Sequence, residues 1–151
     1  MTMETGTTTP RLKLPLIEPG QAQKELFHNE SLLLLDAAVQ ASVVAVGTDM
    51  PPAAPATGDC WVIGVTPAAA WAGHPHELAC ATIGGWRFLA PHDGMAVWER
   101  NTGCLWRHDG GMWLRGNIIP PATGGTTIDA EARGALAAVI EVLRMHGLTP
   151  R

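Results

Sequence analysis

The chain has 151 residues, of which 46% are hydrophobic and 16% charged, and its formal net charge is −4. Such a composition excludes an intrinsically disordered chain, and the length fits one domain. The acidic balance and the lack of a basic stripe argue against nucleic acid as a partner. No apolar run approaches the ~20 residues of a membrane-spanning helix, so no membrane partner is expected.

Residues 1–13 are predicted to form a flexible arm. This segment is rich in threonine and lacks both the basic and the apolar region of a secretory signal, so synthesis in the cytoplasm is expected. The 3 cysteines of the chain are an odd and low number for a disulfide framework. They are therefore expected to be thiols.

Residues 14–47 are predicted to be an extended lead-in followed by a long helix. From Gln21 to Val46 the sequence contains neither glycine nor proline, and apolar residues recur every three or four positions. Two apolar stripes along one helix indicate cover on more than one side, either by copies of the same helix or by a sheet. The predicted oligomer interface is the first of these stripes, at Leu32, Leu35, Val39 and Val43.

Short strands are predicted in residues 58–116, the segment that holds all 6 tryptophans of the chain. Turn residues separate the strands, which indicates a small antiparallel β meander. A weak repeat, in which Gly-Gly precedes an aromatic strand at Gly84–Leu89 and at Gly110–Arg115, suggests stacked hairpins. The predicted strands are Cys60–Val65, Glu77–Thr82, Trp86–Ala90, Met95–Arg100, Cys104–His108 and Met112–Arg115.

A final helix is predicted over Asp129–His146, within the segment 128–147. Glu131 in its first turn and Arg144 in its last turn suit the helix dipole, and Gly147 suits the position after the helix. One face carries apolar residues and is expected to pack along one side: Ala132, Leu136, Val139 and Leu143. The predicted fold class is therefore α+β, with a long N-terminal helix, a small antiparallel β meander and a C-terminal helix.

Tryptophans on short, glycine-flanked strands suggest two roles. An indole face can stack on the C–H face of a sugar, or the rings can fill the core of a small β unit. Most of the rings are predicted to be core. Trp71, in a loop, is predicted to be the most exposed, and Trp98 and Trp106 are expected to face each other across a hairpin. These three residues are the candidate ligand-binding positions.

No catalytic residues, metal site or cofactor are predicted. The histidines and cysteines lack the spacing of zinc ligands. Ser31 and Ser42 lie within the predicted helix without a nucleophile elbow. Asp93 and Asp109 precede glycine and are explained as turn residues. The protein is therefore not expected to be an enzyme.

A polar motif runs from Gly20-Gln-Ala-Gln-Lys-Glu25 to His28-Asn-Glu30. By its residue types it is either a polar network across a helix interface or a solvated first turn. The motif resembles the opening of an uncharacterised domain of phage-derived proteins in alphaproteobacteria. These include proteins from the gene cluster for gene transfer agents, which are phage-like particles that package host DNA. The likeness covers about residues 11–147 and includes Ala70–His74, Gly85–Phe88, Pro91–Gly94 and Gly124–Arg133.

This resemblance implies a virion component similar to fibre or spike proteins. Such proteins are trimeric, assemble with other particle proteins and contact capsular polysaccharide of the host cell. A homotrimer, assembled into a particle that is released by lysis, is therefore expected. The chain stops soon after its last predicted helix, which favours a base, adaptor or short spike. Two other classes remain open: a stand-alone carbohydrate-binding module, and a capsule or cell-wall depolymerase.

Overall fold

The computed structural model describes residues 8–17 and 24–150, with side chains in the first helix from Phe27 onwards. Two helices and eight strands confirm the α+β class within these residues. The first seven residues of the predicted arm, residues 18–19 of the lead-in and residues 20–23 of the polar motif lie outside them. The elements are α1 (Lys24–Ala38), β1 (Ser42–Val43), β2 (Val46–Thr48), β3 (Cys60–Ile63), β4 (Leu78–Thr82), β5 (Gly85–Leu89), β6 (Ala96–Glu99), β7 (Cys104–Asp109), β8 (Met112–Arg115) and α2 (Ala130–Met145).

The strands form two mixed sheets of the same design. Sheet 1 has the order β2-β3-β4-β5, and sheet 2 has the order β1-β6-β7-β8. In each sheet three consecutive strands form an antiparallel meander, and a short strand pairs in parallel with the first of them. All six predicted strands are present, and the Gly-Gly repeat marks the last strand of each sheet. The prediction of one purely antiparallel meander was wrong, because two parallel strands come from the end of the predicted helix and the residues just after it.

The predicted helix over Gln21–Val46 ends at Ala38 in the structure. Gln40 adopts a left-handed φ of 47°, and the Arg11 guanidinium donates hydrogen bonds to the carbonyl oxygens of Asp36 and Gln40. These bonds satisfy carbonyl groups that a helix end leaves without partners. The apolar periodicity therefore ends in a turn that the sequence pattern did not indicate.

The segment after this turn runs between the two sheets. Trp98 of sheet 2 donates its backbone N–H to the Ala41 carbonyl, and Val44 donates to the Cys60 carbonyl of sheet 1. Its valines are β-branched and suit a strand that is packed on both sides. Because a short apolar run has no periodicity that separates strand from helix, only the available sheet edges decide its structure.

Residues 8–13, predicted as the end of a flexible arm, are held against α1. The Asp36 carboxylate is 3% exposed and accepts hydrogen bonds from the Thr9 hydroxyl at 2.8 Å and from the backbone N–H groups of Arg11 and Leu12. Thr9 itself is fully buried. A buried, hydrogen-bonded carboxylate therefore fixes this segment, and the prediction of flexibility is wrong for these residues.

Two hydrophobic clusters build the interior. One lies between the sheets, and the other covers the outer face of sheet 1. β3 shows the arrangement: Cys60 and Val62 belong to the cluster between the sheets, whereas Trp61 and Ile63 belong to the outer one. All four residues of the strand are buried, because a strand covered on both faces exposes neither set of alternating side chains.

Helix α2 runs from Ala130 to Met145 with Asp129 as its N-cap and His146 as its C-cap, one residue inside the predicted Asp129–His146 at each end. The expectation that it packs along one side of the domain was wrong. No residue of α2 is buried, and Leu136, Val139 and Val142 are 54%, 56% and 52% exposed. The contact it does make is with the preceding linker, on the face opposite Val139. We call residues 117–146, the linker and α2, the α2 arm.

The C-terminal end of the arm is attached to sheet 2. Leu105 of β7 donates its backbone N–H to the Gly147 carbonyl at 2.8 Å, and the Thr149 hydroxyl donates to the Asn117 carbonyl. Gly147 has a φ of 67° and lies directly on the Trp98 ring. Glycine is required here because a side chain would be strained at this φ and would overlap the ring.

Replacing Gly147 by alanine is expected to lower the free energy of unfolding by about 1–3 kcal/mol. The new Cβ would overlap the Trp98 ring and approach the Gly103 carbonyl oxygen to 2.9 Å. The midpoint of urea unfolding measures the change. Gly134→Ala is the matched control, because Gly134 lies in α2 with open space around it and the same substitution is expected to stabilise the helix by up to about 1 kcal/mol. Equal shifts for both variants would contradict the packing of Gly147.

Neither of the two helices, taken over the described ranges, has the length and apolar character that crossing a membrane requires.

Candidate functional site

A cleft of about 300 Å³ opens where the two sheets meet, and we call it the junction cleft. Sheet 1 supplies the ends of β2 and β3, and sheet 2 supplies β7 and β8. This volume lies at the lower end of the range of ligand pockets. The side chains that line it include Val46, Asp49, Val62, His76, Trp106, Met112 and Trp113.

Trp106 is held in the wall of the junction cleft by polar contacts on its ring. Its indole N–H donates a hydrogen bond to a carboxylate oxygen of Glu99 at 2.8 Å, and the Arg115 guanidinium lies 5.0 Å from the ring centroid. The ring is half-buried. Its N–H is satisfied inside the protein, Arg115 lies over the ring, and the ring also packs on the cluster between the sheets, so the part that lines the cleft is what a ligand can stack on.

Glu99 joins the two sheets beneath Trp106. Its carboxylate is 6% exposed and accepts hydrogen bonds from the Val46 backbone N–H at 3.1 Å and from the Thr102 hydroxyl at 2.5 Å, in addition to the indole. Three donors satisfy the buried charge. The group therefore positions Trp106 and the start of β2 against each other.

His76 and Asp49 supply polar groups to the cleft. His76 is one of the few non-glycine residues with a left-handed φ, at 65°, and its carbonyl accepts the Trp113 indole N–H at 2.8 Å. Asp49 accepts hydrogen bonds from the backbone N–H and the hydroxyl of Thr66, at 2.9 and 2.8 Å. Strained backbone conformations are enriched at binding sites. Sequence patterns did not select either residue, because neither the positive φ of His76 nor the path of the loop that carries Asp49 leaves a local mark in the sequence.

Trp71, predicted to be the most exposed tryptophan, is fully buried. It packs against Trp61 and Trp86, with ring centroids 6.1 and 5.1 Å away. The loop that carries it folds back over the outer face of sheet 1. The prediction of exposure was wrong. The small glycine and alanine residues beside Trp71 are compatible with a loop that projects into solvent and equally with one that folds onto the sheet, and the structure has the second. A ligand cannot reach this ring in the folded protein.

Trp98 and Trp106 do not face each other. In the register of β6 and β7, Trp98 pairs with Leu105 and Trp106 pairs with Val97. Directly paired residues share a face of the sheet and successive residues alternate, so the two rings point to opposite sides. Trp98 is 38% exposed on the outer face of sheet 2. Of the three candidate positions, the structure places only Trp106 in the junction cleft.

The four predicted interface residues do not form one helix face. Leu32, Leu35 and Val39 lie on or just after α1, where Leu35 is 48% and Val39 40% exposed and Leu32 is half-buried. Val43 lies in β1 and is fully buried in the cluster between the sheets. The stripe is broken because the helix ends at Ala38. Self-association through α1 stays a prediction, without Val43 as a contact.

The described part of the polar motif has contacts within the chain. The Asn29 side chain accepts the Ile17 backbone N–H and donates to the Ile17 carbonyl, both at 2.9 Å. Glu30 forms an ion pair with Arg87 of β5. These contacts hold the lead-in and sheet 1 against α1, which gives this part of the motif a role inside one chain.

The cysteines and histidines build no metal centre in the described part of the chain, where no three metal-binding side chains are grouped. All three cysteines are free and buried. Cys60 and Cys80 face each other across β3 and β4. The neighbouring Cys80 thiol and burial raise the pKa of Cys60 above its usual range. Cys60 is therefore a neutral, structural thiol.

Residues 28–114 match a family described as a protein of unknown function, DUF2793. The match begins within α1 and covers both sheets and the junction cleft, and it stops before the α2 arm. No curated protein matches the sequence. The expected membership of an uncharacterised domain family is thus confirmed, whereas the association with gene transfer agents and phage fibres stays a prediction.

Proposed function

The chain belongs to the DUF2793 family, and we propose that it is a structural component of a phage-like particle, such as a gene transfer agent. In this role it is a surface spike or fibre, or the base of one, and contributes to attachment by binding host surface polysaccharide. The observation that carries the attachment role is the junction cleft with Trp106 in its wall. The particle role rests on the sequence resemblance described above.

The chemistry of the junction cleft suits a sugar ring better than a wholly apolar ligand. The oriented indole of Trp106 offers a stacking surface for axial C–H groups. Asp49 and His76 supply polar atoms within the same cleft, where hydroxyl groups would lie. Gly47, which also lines the cleft and has open space where a side chain would begin, carries nothing that would keep a ligand away.

The carboxylates at the cleft favour binding over hydrolysis. Glycoside hydrolysis needs one carboxyl group as an acid and a second as a base or nucleophile. Asp49 is held by Thr66, and Glu99 is buried beneath three donors. Carboxylates engaged in this way position the fold and are poorly placed to transfer protons to a substrate.

Titration with capsular polysaccharide is expected to change the tryptophan fluorescence saturably, and Trp106→Ala is expected to weaken binding at least about tenfold. This is the loss expected when an aromatic anchor of a binding site is truncated. A panel of acidic and neutral capsular polysaccharides serves as the probe. Trp98→Ala is the matched control, because Trp98 lies on the opposite side of the same hairpin and its loss should leave the affinity unchanged.

The outcomes separate the candidate functions. Equal losses for both variants, or no binding by the wild type, would remove the attachment role. Release of reducing ends from the polysaccharide would indicate a depolymerase instead. Immunogold labelling of particles released by the host cell tests the particle role separately. Saturable binding by a protein that is absent from such particles would identify a stand-alone carbohydrate-binding module.

A further inference from the structure

Helix α2 presents an apolar stripe that nothing in the described part of the chain covers. Positions three and four residues apart lie on one face of a helix. The stripe extends over about 17 Å of helix, at 1.5 Å per residue. It consists of Ala132, Ala135, Leu136, Val139, Val142 and Leu143, with exposures of 52–56% at its centre, from Leu136 to Val142.

The charged residues of α2 lie largely away from this stripe. Arg133 donates to the Gly124 carbonyl, and Arg144 pairs with Glu141 at 2.6 Å, both towards the linker. The linker residues Ile119 and Pro121 pack on this side of the helix. The stripe itself therefore offers no charge to an acidic or basic partner, and it is complementary to another apolar helix.

A second uncovered apolar surface lies beside the end of α2. The outer face of sheet 1 is buried under the Trp71 loop, whereas the equivalent face of sheet 2 exposes Leu105 and Leu114, at 37% and 43%. Leu148, which follows α2, lines the same depression as these two leucines, together with Arg107 and Arg115. The stripe on α2 and the outer face of sheet 2 thus meet at Leu148.

We propose that these two surfaces together form the interface through which three copies of the chain associate, with their α2 helices parallel around a threefold axis. This inference rests on the particle role proposed above, for which the resemblance implies a homotrimer, and it places the contacts of that trimer on α2 and sheet 2. These contacts take the place of the α1 stripe that was predicted from sequence. A threefold rotation relates the copies, so the same end of each helix points in the same direction along the axis.

The spacing of the stripe identifies a like helix as the occupant. Ala132, Leu136, Val139 and Leu143 follow one another at intervals of four, three and four, which is the heptad spacing of helices that pack on their own copies. Leucine then occupies the a positions and a β-branched valine a d position. Leucine at a with a β-branched residue at d shifts the preference from two strands to three or four.

The sheet surface is needed as well. Two heptads are fewer than the three or four of a sustained coiled coil. A stable interface buries about 800 Å² on each partner, which exceeds what one short helix supplies. Contacts of Leu105, Leu114 and Leu148 with the neighbouring copy would enlarge the interface, with Arg107, which pairs with Asp109, at the edge of these leucines.

Sedimentation equilibrium of the full chain is expected to give three times the chain mass of 16.0 kDa. Val139→Glu, which places a charge in the stripe, is expected to give the mass of one chain. Ala138→Glu is the matched control: it adds the same charge one position away, about 100° around the helix, and should remain trimeric. Leu35→Glu on α1 should also remain trimeric.

Circular dichroism reports whether each variant is folded, because the emission of the six tryptophans would also respond to a change of surroundings at Trp98. If Val139→Glu is unfolded, Leu114→Glu on the outer face of sheet 2 takes its place and is expected to dissociate the trimer. A wild-type mass other than three chains overturns the inference. Dissociation by Leu35→Glu without dissociation by the α2 and sheet 2 variants also overturns it, and places the interface on α1.

The binding titration on the Val139→Glu monomer separates this inference from the proposed function. Unchanged affinity per chain supports both, because the junction cleft lies within one chain. A trimer that dissociates as expected but does not bind polysaccharide removes the function and leaves the interface standing. A wild-type monomer that binds polysaccharide removes the interface and leaves the function standing.

Discussion

Replacing Trp71 by alanine is expected to lower the free energy of unfolding by about 3–5 kcal/mol. The ring is fully buried, and it packs edge-on against Trp86 at 5.1 Å and tilted against Trp61 at 6.1 Å. Its indole N–H has no hydrogen-bond partner among the described residues, so the loss comes from packing. Such a loss is a large fraction of the stability of a domain this size.

Urea unfolding followed by circular dichroism measures this effect independently of the lost fluorophore. Ile83→Ala is the control, because Ile83 is an apolar residue of the same sheet's last turn that is 90% exposed. Its substitution should change stability by less than about 0.5 kcal/mol. A Trp71→Ala protein as stable as Ile83→Ala would show that the loop does not close over sheet 1.

Replacing Asp36 by alanine is expected to lower the free energy of unfolding by about 2–4 kcal/mol. The carboxylate is buried and accepts hydrogen bonds from Thr9 and from the backbone N–H groups of Arg11 and Leu12. Its removal leaves these donors without a partner. The guanidinium of Arg11 holds the carbonyl groups at the end of α1, and Arg11 loses the hydrogen bond that its backbone N–H donates to the Asp36 carboxylate.

Thermal or urea unfolding of Asp36→Ala measures the change, and protease cleavage near residues 8–17 is expected to become faster. Asp109→Ala is the matched control, because Asp109 forms an ion pair with Arg107 in which both side chains are about half exposed. Loss of such a surface pair costs about 0–1 kcal/mol. Equal stability of the two variants would mean that the N-terminal segment is not held by Asp36.

The junction cleft and the α2 arm differ in whether the family match covers them. The cleft lies within residues 28–114, which match DUF2793, whereas the arm follows that match. Glu99 shows how the cleft depends on both sheets, because it contacts β2 of sheet 1 and Trp106 of sheet 2. The shape of the cleft therefore depends on the contact between the two sheets, which Glu99 helps to hold.

The elements that local sequence signals could predict are those with local causes. The six strands between Cys60 and Arg115 are separated by Gly, Asp-Gly and Asn-Thr-Gly turns, and these turn chemistries set the strand ends. Helix α2 has an aspartate N-cap and a glycine after its end, and its bounds followed from both. Each of these signals acts over a few neighbouring residues.

The site depended on contacts between distant residues. Trp106 reaches the cleft because of its register with Val97, and Trp98 points away for the same reason. His76 and Asp49 come to the cleft through a left-handed turn and a loop after β2. Neither strand periodicity nor composition contains the sheet register, so sequence patterns could nominate tryptophans but could not choose among them.

The sequence by itself determined that the chain folds, that its class is α+β, and where its turns, its β meanders and its last helix lie. Only the tertiary structure decided that residues 42–48 supply an edge strand to each sheet, that Trp71 is core, and that α2 is left uncovered. The physical reason is that turns and caps depend on local backbone preferences. Whether an apolar segment forms a strand or a helix, and whether it is buried, depends on which distant surface is available to cover it.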